Sequence, residues 1–515
     1  MRQALQGVQP AARVSDIMQS AGAPVGGLNA RDSLSAMKPE DALILDNFIC
    51  RATTVDVRKG QVAHVTGFGA NEVIECLMSY RAAPNDKIFA CSDLGIYDVT
   101  THGVVGAKVY SCTQGRWEFI EGGNAGIHYL LAVNGVDPMV LYNGTTWADA
   151  AVTGVDSKTF TNLTNFKRRN FFCQKDTLIM WYLDLDAVQG AAHPFDLSGI
   201  FMKGGSLQAI HNWTIDGGSG QDDYCVILTT EGEAAVYRGT DISNAATWAL
   251  VGVYALPRPI GRRCMFKFGG DVIITTESGL VKLSTVLQAA AVDRQVSVSD
   301  KIIGLLNSAA TAYRANLGWQ MVTFASESIL ILNVPTVENT TSIQYVMNTL
   351  TGAWSSFSGM NAACMLELGG RLFYGGKGRV VQALTGTNDF GANITAKAKT
   401  AFNAFNRPLL NKKISLIRVN YSTSKAVAVG LAITINYDSS SVVTAATSTP
   451  QSQSLYDQSL WDTARWADSS FIVARWRSIS HKPGYVLSLI LQVSDKDYSF
   501  SWNNTDYLMA AGFGL

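Results

Sequence analysis

The sequence predicts an all-β protein with a minor helical part. We expect a β-propeller of six or seven blades with an N-terminal arm, a helical insertion and a C-terminal β-sandwich. Three observations lead to this fold class. Short runs rich in Val, Ile, Thr and Tyr occur in pairs joined by tight turns. The pairs recur at similar intervals, and after residue 385 the pattern changes to alternating apolar and polar residues.

The clearest hairpins lie in the middle of the chain. Residues 224–230 form an apolar run, the Glu231-Gly232-Glu233 turn breaks it, and residues 234–238 run back. The pattern repeats in residues 272–276 and 280–283. Because an isolated hairpin is marginally stable in water, two copies imply neighbouring strands that bury their faces.

Five more pairs of runs repeat this pattern along residues 61–385. They are residues 88–91 with 96–99, 129–133 with 139–142, 171–173 with 177–182, 328–332 with 343–346, and 372–374 with 379–381. Successive pairs begin roughly 40 to 56 residues apart, which leaves room for two further strands in each unit, as in propeller blades. Trp117, Trp147, Trp248 and Trp354 fall between hairpins. They suggest an aromatic residue that packs one blade on the next.

One interval changes to helical periodicity. Residues 284–316 include Ser299 and Asp300, which can cap a helix. The apolar face of that helix would carry Ile302, Ile303, Leu305, Leu306, Ala309, Ala310 and Tyr313. We expect an insertion that lies against the propeller or at a subunit contact.

The two ends differ from the middle. Residues 1–60 are expected to form an arm that contacts a platform or adaptor, with a short helix at residues 39–47 that has Pro39 near its first position and acids in its first turn. Residues 386–515 contain alternating runs at 414–421 and 430–437, typical of half-buried antiparallel strands. They predict a separate β-sandwich.

Composition limits the functional classes. The 515 residues contain 41 Lys plus Arg and 41 Asp plus Glu, so the formal net charge is zero. A neutral chain argues against nucleic-acid binding through counterion release, although it is compatible with DNA that slides past. Only 16% of residues are charged, while 11 Trp, 18 Tyr and 21 Phe favour large buried interfaces in an assembly. No run of about 18 uncharged apolar residues occurs, so no membrane insertion is expected.

Possible chemical motifs are incomplete. Gly376-Lys377 lacks the other residues of a phosphate-binding loop, and Asp184 with Asp186 lacks the glycine and glutamate of a calcium loop. Ser219 lacks the second outer glycine of a nucleophile elbow. The six histidines show no metal-ligand spacing, and the eight cysteines include no CxxC pair. We therefore expect no catalytic, cofactor-binding or metal-binding residues, and no enzyme activity.

One basic cluster remains. Lys167-Arg168-Arg169 is the densest group of positive charges, and it could contact phosphate. A solvated turn before the strand at Phe171 explains it better, because three charges make a weak patch.

Several segments carry a resemblance to a known family, the β-propeller tail nozzle (tail tubular) proteins of short-tailed bacteriophages. The segments are Asp222-Asp223, residues 231–241, Trp248 with residues 250–253, residues 261–263, residues 270–272, residues 346–354 ending at Trp354, the early residues 26–29, and the late Trp461-Asp462, Trp466-Ala467-Asp468 and Trp476. These motifs are turns and packing aromatics, spread over most of the chain.

The resemblance implies a structural virion protein, assembled in the bacterial host cytoplasm. Such subunits form a homohexameric tube below the portal and the adaptor ring. The tube retains packaged genomic double-stranded DNA, lets it exit through its lumen without sequence readout, and docks tail fibres or spikes. The zero net charge, the repeated hairpins and the lack of catalytic motifs agree with this role.

Two alternatives remain open. A propeller glycan-binding or glycan-degrading tail enzyme would need paired acids near the central axis, and no aspartate-box repeat occurs. A tail hub or plug protein that stabilises packaged DNA would share the fold but occupy another position in the tail.

Overall fold

The computed structural model describes residues 15–124, 127–216, 221–288, 297–440 and 471–512. Strands dominate these residues, and they form many small sheets. The chain divides into two compact units. The first consists of Met1–Lys59, Ala353–Ser355 and Thr387–Leu515, and the second of Gly60–Gly352 and Ser356–Gly386. Residues from both chain ends thus belong to one unit, while the second unit contains the repeated hairpins.

From residue 15 to residue 59 the first unit contributes five strands: β1 (Ser15–Gly22), β2 (Gly27–Leu28), β3 (Asp41–Asp46), β4 (Phe48–Cys50) and β5 (Val55–Val57).

The short helix predicted at residues 39–47 is wrong. This stretch contains β3, which pairs with another strand of its unit between Lys397 and Thr400. The side chains of Ala42 and Leu45 are fully buried. Long-range strand pairing and burial outweigh the local signals for a helix start.

The second unit contains most of the strands. Its first half comprises β6 (Gln61–Thr66), β7 (Cys76–Tyr80), β8 (Lys87–Cys91), β9 (Ile96–Asp98), β10 (Gly103–Val104), β11 (Glu118–Asn124), β12 (Ile127–Val133), β13 (Val140–Tyr142), β14 (Trp147–Asp149), β15 (Val152–Thr153), β16 (Phe160–Phe166), β17 (Arg169–Gln174), β18 (Ile179–Leu183) and β19 (Gly190–Asp196). Its second half comprises β20 (Leu207–Asp216), β21 (Gln221–Thr229), β22 (Glu233–Gly239), β23 (Trp248–Ala255), β24 (Met265–Phe268), β25 (Asp271–Thr276), β26 (Gly279–Lys282), β27 (Gln320–Phe324), β28 (Ile329–Val337), β29 (Thr341–Asn348), β30 (Trp354–Phe357), β31 (Cys364–Leu368), β32 (Arg371–Gly376) and β33 (Arg379–Ala383). The two units share the residues of β30.

These strands form successive antiparallel groups along the chain: β7–β9, β11–β14, β16–β19, β20–β23, β24–β26, β27–β29 and β31–β33. All seven predicted hairpins are confirmed, as the pairs β8/β9, β12/β13, β17/β18, β21/β22, β25/β26, β28/β29 and β32/β33. The last group is completed by β6, the first strand of the unit, which pairs with β33. The beginning and end of the unit are therefore joined by main-chain hydrogen bonds.

Neighbouring groups pack on one another through shared apolar clusters. Clusters join β7–β9 to β11–β14, β11–β14 to β16–β19, β16–β19 to β20–β23, and β20–β23 to β24–β26. Another cluster joins the last group, through Phe373 and Val380, to the first, through Leu77 and Ile88. Apolar packing thus joins the last group of the unit to the first.

Trp248 shows how one group packs on the next. Its ring stacks on Tyr237 of its own sheet, with centroids 5.3 Å apart, and on Phe171 of the preceding sheet, at 6.1 Å. This is the role predicted for a tryptophan between hairpins.

In the described residues of the predicted helical insertion there are two helices, α1 (Leu283–Gln288) and α2 (Ile303–Tyr313). A 3-10 turn, Asp300–Ile302, precedes α2, and two further 3-10 turns are Ser157–Thr159 and Ala325–Glu327. α2 contacts β28 and buries Leu306, Ala309 and Ala310. The side-chain cap predicted for Ser299 is wrong, because the Ser299 hydroxyl instead accepts a hydrogen bond from the main-chain N–H of Leu280, at 3.0 Å.

After residue 386 the described part of the first unit has six further strands: β34 (Ile394–Thr400), β35 (Asn411–Thr423), β36 (Val429–Ile435), β37 (Phe471–Ser478), β38 (Leu487–Asp495) and β39 (Phe500–Gly512). One sheet has the order β37-β35-β39-β5-β4, with β1 also paired to β39. The other strands are arranged as β3-β34-β38-β36, with β2 on β3. Both sets bury side chains in one core, which includes Tyr421 and Trp502 from the first and Leu45 and Leu491 from the second.

The alternating runs predicted at 414–421 and 430–437 correspond to β35 and β36, which lie in different sheets. Trp461 and Trp466 lie outside the described residues. Among the residues that are described, no helix combines the length and apolar character needed to cross a membrane.

Candidate functional site: the central cavity of the second unit

The first strand of each group in the second unit lines one common cavity. Its volume is about 390 Å³. One residue from each of these strands illustrates the lining: Leu77, Phe119, Leu163, Ile210, Phe266, Val322 and Leu366. The cavity therefore lies where the groups converge. A water molecule occupies about 30 Å³ in the liquid, so this volume corresponds to roughly a dozen waters.

An ion pair links two of the groups beside this cavity. The Arg263 Nε lies 3.0 Å from Glu118 Oε1, and both side chains are mostly buried, with 18% and 17% of their surfaces exposed. Arg263 also donates to the main-chain oxygen of Trp117 at 2.8 Å and to Gln320 Oε1 at 3.2 Å. Burial alone would lower the pKa of Arg263, but the charge of Glu118 holds this pKa above its ordinary value. The guanidinium is thus a fixed cation that joins β11 to β27.

Gln320 extends this network. Its Nε2 donates to the main-chain oxygen of Met365 at 2.8 Å, and its Oε1 accepts the Met365 N–H at 2.9 Å. Four groups of the second unit are therefore tied together by polar contacts at the edge of the cavity.

A second, smaller cavity of about 80 Å³ lies beside the starts of these first strands. Arg116 lines it and pairs with Glu75 at 2.9 Å and with Glu338 at 2.5 Å. Asn339 Nδ2 also donates to Glu75, at 3.0 Å. Arg116 thus has two carboxylate partners.

Arg262 differs from these two arginines. It lines both cavities and is partly buried. Its Nη1 donates to the main-chain oxygen of Asn134 at 2.8 Å, and within the described part of the chain no carboxylate lies within 4.0 Å of it. Burial lowers the pKa of Arg262, and the charges of Arg116 and Arg263 add to this effect against the opposing charge of Glu118.

Arg81 also lines the cavity, and its side chain is 54% exposed. Arg81 pairs with Glu121 at 3.3 Å and donates to the main-chain oxygen of Glu367 at 3.1 Å. Glu121 also accepts hydrogen bonds from the Ser79 hydroxyl at 2.6 Å and from the Arg81 N–H at 2.8 Å. The Glu121 carboxylate beside Arg81 is therefore engaged in structural contacts.

His211 lines the same cavity. Its Nδ1 lies 2.7 Å from the main-chain oxygen of Asn212, so Nδ1 must carry a proton in this contact. Burial lowers the pKa of His211, the hydrogen bond to Asn212 opposes this effect, and the charge of Lys267 adds to it. In the neutral ring, Nε2 remains an acceptor.

The motifs considered in the sequence do not meet in this site. Asp184 lies 3.3 Å from His193, and Asp186 pairs with Arg168 at the surface. Gly376-Lys377 belongs to the tight hairpin between β32 and β33, where Gly378 has φ 71°. Ser219 lies outside the described residues.

The basic cluster is divided among three partners. Lys167 pairs with Asp223, Arg168 with Asp186, and Arg169 with Asp241. The eight cysteines are buried free thiols. Within the described ranges, no group of three or more His, Cys, Asp or Glu side chains is arranged to hold a metal ion.

Sequence reasoning missed the arginine network. Arg262 and Arg263 were noted only as part of a family resemblance, and Glu118 is 145 positions away from Arg263. The Arg262-Arg263 pair immediately before an apolar run was the only available signal, and it does not identify a partner.

No protein-family model matches the chain, and no characterised protein matches it in sequence. Three solved structures are similar over 63% of the chain. They are the extracellular domain of the putative hybrid two-component system BT4673 from B. thetaiotaomicron (10% identity, TM-score 0.42), the Myceliophteria thermophila Cps50 (Swd1) β-propeller domain (13%, 0.40) and the computationally designed Ika8 protein (11%, 0.35). The matched regions cover 39%, 100% and 99% of those chains, respectively. The chain thus spans well under half of the BT4673 domain.

Proposed function

We propose that this chain is the structural subunit of a hexameric tail nozzle of a short-tailed bacteriophage. In this proposal the second unit is a seven-bladed β-propeller closed by the pairing of β6 with β33, and the first unit is a β-sandwich. The hexamer would extend the portal and adaptor channel, retain packaged DNA, release it into the host and dock fibres or spikes.

The proposal rests on the positions of the segments that resemble nozzle proteins. Residues 26–29 and Trp354 are far apart in sequence, and within the first unit Gly27 lies directly against the main chain of Trp354. Trp354 itself is 1% exposed. Two segments of the resemblance therefore form one packing contact, as expected for a structural family whose motifs specify architecture.

A second segment behaves in the same way. Gly232, in the Glu231-Gly232-Glu233 turn, has φ 77°, and a Cβ at this position would lie 2.3 Å from the main-chain oxygen of Leu256. Only glycine satisfies both the conformation and the close approach. This acidic turn is therefore a structural position in the proposed propeller.

The size of the central cavity decides where DNA would pass. The central cavity has a volume of about 390 Å³. It is too small to enclose duplex DNA, in which the major groove alone is about 12 Å wide. DNA would therefore pass through a lumen between subunits of a ring, and this proposal requires an oligomer.

The carboxylates of the cavity argue against a glycan-degrading enzyme. Glycoside hydrolysis commonly uses two carboxyl groups that flank the scissile bond. Two glutamates line the cavity, Glu118 and Glu367. Glu118 is paired with Arg263, and Glu367 Oε1 accepts the Gly370 N–H at 2.9 Å. Both carboxylates thus have a structural partner, which disfavours the pair of acids that such an enzyme needs.

Electron microscopy of the purified full chain, alone and with its adaptor ring, tests the proposal. We expect rings with sixfold symmetry, or rings that form when the adaptor is added. A particle that remains monomeric in both samples would contradict the nozzle, and release of sugars from host polysaccharide would favour the enzyme instead. Imaging of assembled tails separates the nozzle from a hub or plug, because a hub or plug would lie away from the lower end of the tail.

A further inference from the structure

The central cavity contains a cation that the network around it does not neutralise. Three arginines line the cavity, namely Arg81, Arg262 and Arg263. Arg81 pairs with Glu121, and Arg263 pairs with Glu118. Among the residues that the structure describes, Arg262 makes one hydrogen bond, to the main-chain oxygen of Asn134. A partly buried guanidinium with several unused donors is costly unless an anion is near, because burial removes its hydration.

A second donor lies in the same lining. Asn162 is 8% exposed, and its Oδ1 accepts the Ile210 N–H at 3.0 Å. This bond fixes the orientation of the Asn162 amide, because its oxygen must face the Ile210 N–H. The Nδ2 group carries two N–H donors, and no acceptor for them appears among the hydrogen bonds of the described residues. Arg262 and Asn162 thus both offer donors to the cavity.

The size of the cavity suits a small molecule. Ligand pockets usually have volumes of roughly 300–1,000 Å³, and this one measures about 390 Å³. Its lining includes Arg81, an exposed side chain that solvent reaches. A polymer is excluded by volume, whereas an ion with a few heavy atoms can enter.

We propose that the central cavity binds a small oxyanion, of the phosphate or carboxylate type, through Arg262 and Asn162. A guanidinium presents N–H groups that match two oxygens of such an anion, and the amide adds a third contact. The site would serve the second unit itself, by neutralising Arg262 where the groups converge. It is independent of the proposed role in a phage tail.

Titration of the full chain with inorganic phosphate, and separately with succinate, tests the proposal. Isothermal calorimetry at constant ionic strength should show saturable binding of at least one of them, with one site per chain. A dissociation constant on the order of 1 mM or tighter is expected for a site of this kind. The absence of saturable binding of both anions would overturn the proposal.

Variants locate the site. Arg262→Met should weaken binding at least tenfold. Asn162→Asp keeps an oxygen acceptor for the Ile210 N–H but replaces the donors with a negative oxygen, so it should also weaken binding at least tenfold. Arg258→Met is the matched control, because Arg258 is an exposed arginine in the same segment that pairs with Glu231. Its binding should equal that of the wild type.

Arg262→Lys provides a test if Arg262→Met does not fold. It keeps the charge but loses the planar fork, and it should bind several times more weakly than the wild type. Unchanged binding in both Asn162→Asp and Arg262→Lys would overturn the assignment. Because the titration is read per chain, its outcome does not depend on whether the chain forms a ring.

Discussion

Gly27 lies against the main chain of Trp354: a Cβ on Gly27 would stand 2.6 Å from the Trp354 oxygen and 2.7 Å from its nitrogen. Gly27 also has φ 81°, in the left-handed region that residues with a Cβ rarely adopt. Both requirements exclude any side chain. The contact joins the N-terminal strands to Trp354 within the first unit.

Gly27→Ala should therefore destabilise the protein strongly. The left-handed conformation costs a residue with a Cβ roughly 1–2 kcal/mol, and the contact with main-chain atoms adds to this. We expect the free energy of unfolding to fall by about 2 kcal/mol or more. Denaturant unfolding of the purified variant measures the change.

Gly22→Ala is the matched control, because nothing lies within 4 Å of a Cβ at this exposed position in β1. It should change stability by less than about 0.5 kcal/mol. Equal effects of the two substitutions would show that the Gly27 contact has no special role.

The Arg263–Glu118 pair should be essential for the stability of the second unit. Glu118→Gln leaves Arg263 as a mostly buried cation without its counter-ion, and breaking such a pair costs about 3–5 kcal/mol when burial is complete. Because each side chain keeps a sixth or more of its surface exposed, we expect a loss of roughly 2–3 kcal/mol. The midpoint of denaturant unfolding reports it.

Glu231→Gln serves as the comparison, since Glu231 pairs with the exposed Arg258. Exposed pairs contribute about 0–1 kcal/mol. If Glu118→Gln were no more harmful than Glu231→Gln, the ion pair at the cavity would have no structural role.

His64 should make the stability depend on pH below neutrality. Burial lowers its pKa, the charges of His102 and Arg371 add to the effect, and hydrogen bonds with the main chain at Val99 and Thr100 oppose it. In the unfolded chain the pKa returns to about 6.5, so the unfolded state binds more protons below that value. His64 should therefore add little pH dependence to the free energy of unfolding above pH 6.5. Below pH 6.5 the free energy of unfolding should fall as the pH drops.

His64→Gln removes this proton uptake. Between pH 7.5 and pH 5.5 the variant should lose less stability than the wild type, while the two slopes should agree near pH 8. Burial also lowers the pKa values of His211 and His481. The free energy of unfolding of the variant should therefore still depend on pH, but less steeply. Identical slopes in both proteins across the acid range would rule out a contribution from His64.

Lys399 anchors the chain that follows β36. It is 2% exposed, and its Nζ donates to the main-chain oxygens of Asp438 at 2.7 Å and Ser440 at 2.8 Å. Lys399→Met leaves both carbonyls without this donor, at a cost of about 1–3 kcal/mol in stability. Lys397→Met, two residues earlier on the same strand and partly exposed, should cost less than about 0.5 kcal/mol. Thermal or denaturant unfolding distinguishes them, and equal losses would refute the anchoring role.

Local structure could be predicted from the sequence because hairpins are encoded locally. The runs around Gly232 and Gly279 combine β-forming residues with turns that need glycine, and both hairpins occur as expected. The helix expected at residues 39–47 does not form, because the structure of this stretch is decided by contacts that are distant in sequence. Its main chain is used by β34, a partner more than 350 positions away that no local signal reveals.

The candidate site could not be predicted in the same way. Arg263 and Glu118 meet only because the first strands of different groups converge on one cavity. Arg262 is unusual because its two neighbours, Arg116 and Arg263, have carboxylate partners, whereas no carboxylate of the described residues lies within 4.0 Å of Arg262. Such a property belongs to the three-dimensional arrangement and has no counterpart in residue spacing.

The central claim, that this chain is a nozzle subunit, is tested most directly by electron microscopy of the purified full chain mixed with its adaptor ring. The account predicts ring-shaped particles with sixfold symmetry and an open central lumen, wide enough for a duplex, between subunits. Particles that remain single chains, or rings whose lumen is too narrow for DNA, would contradict it.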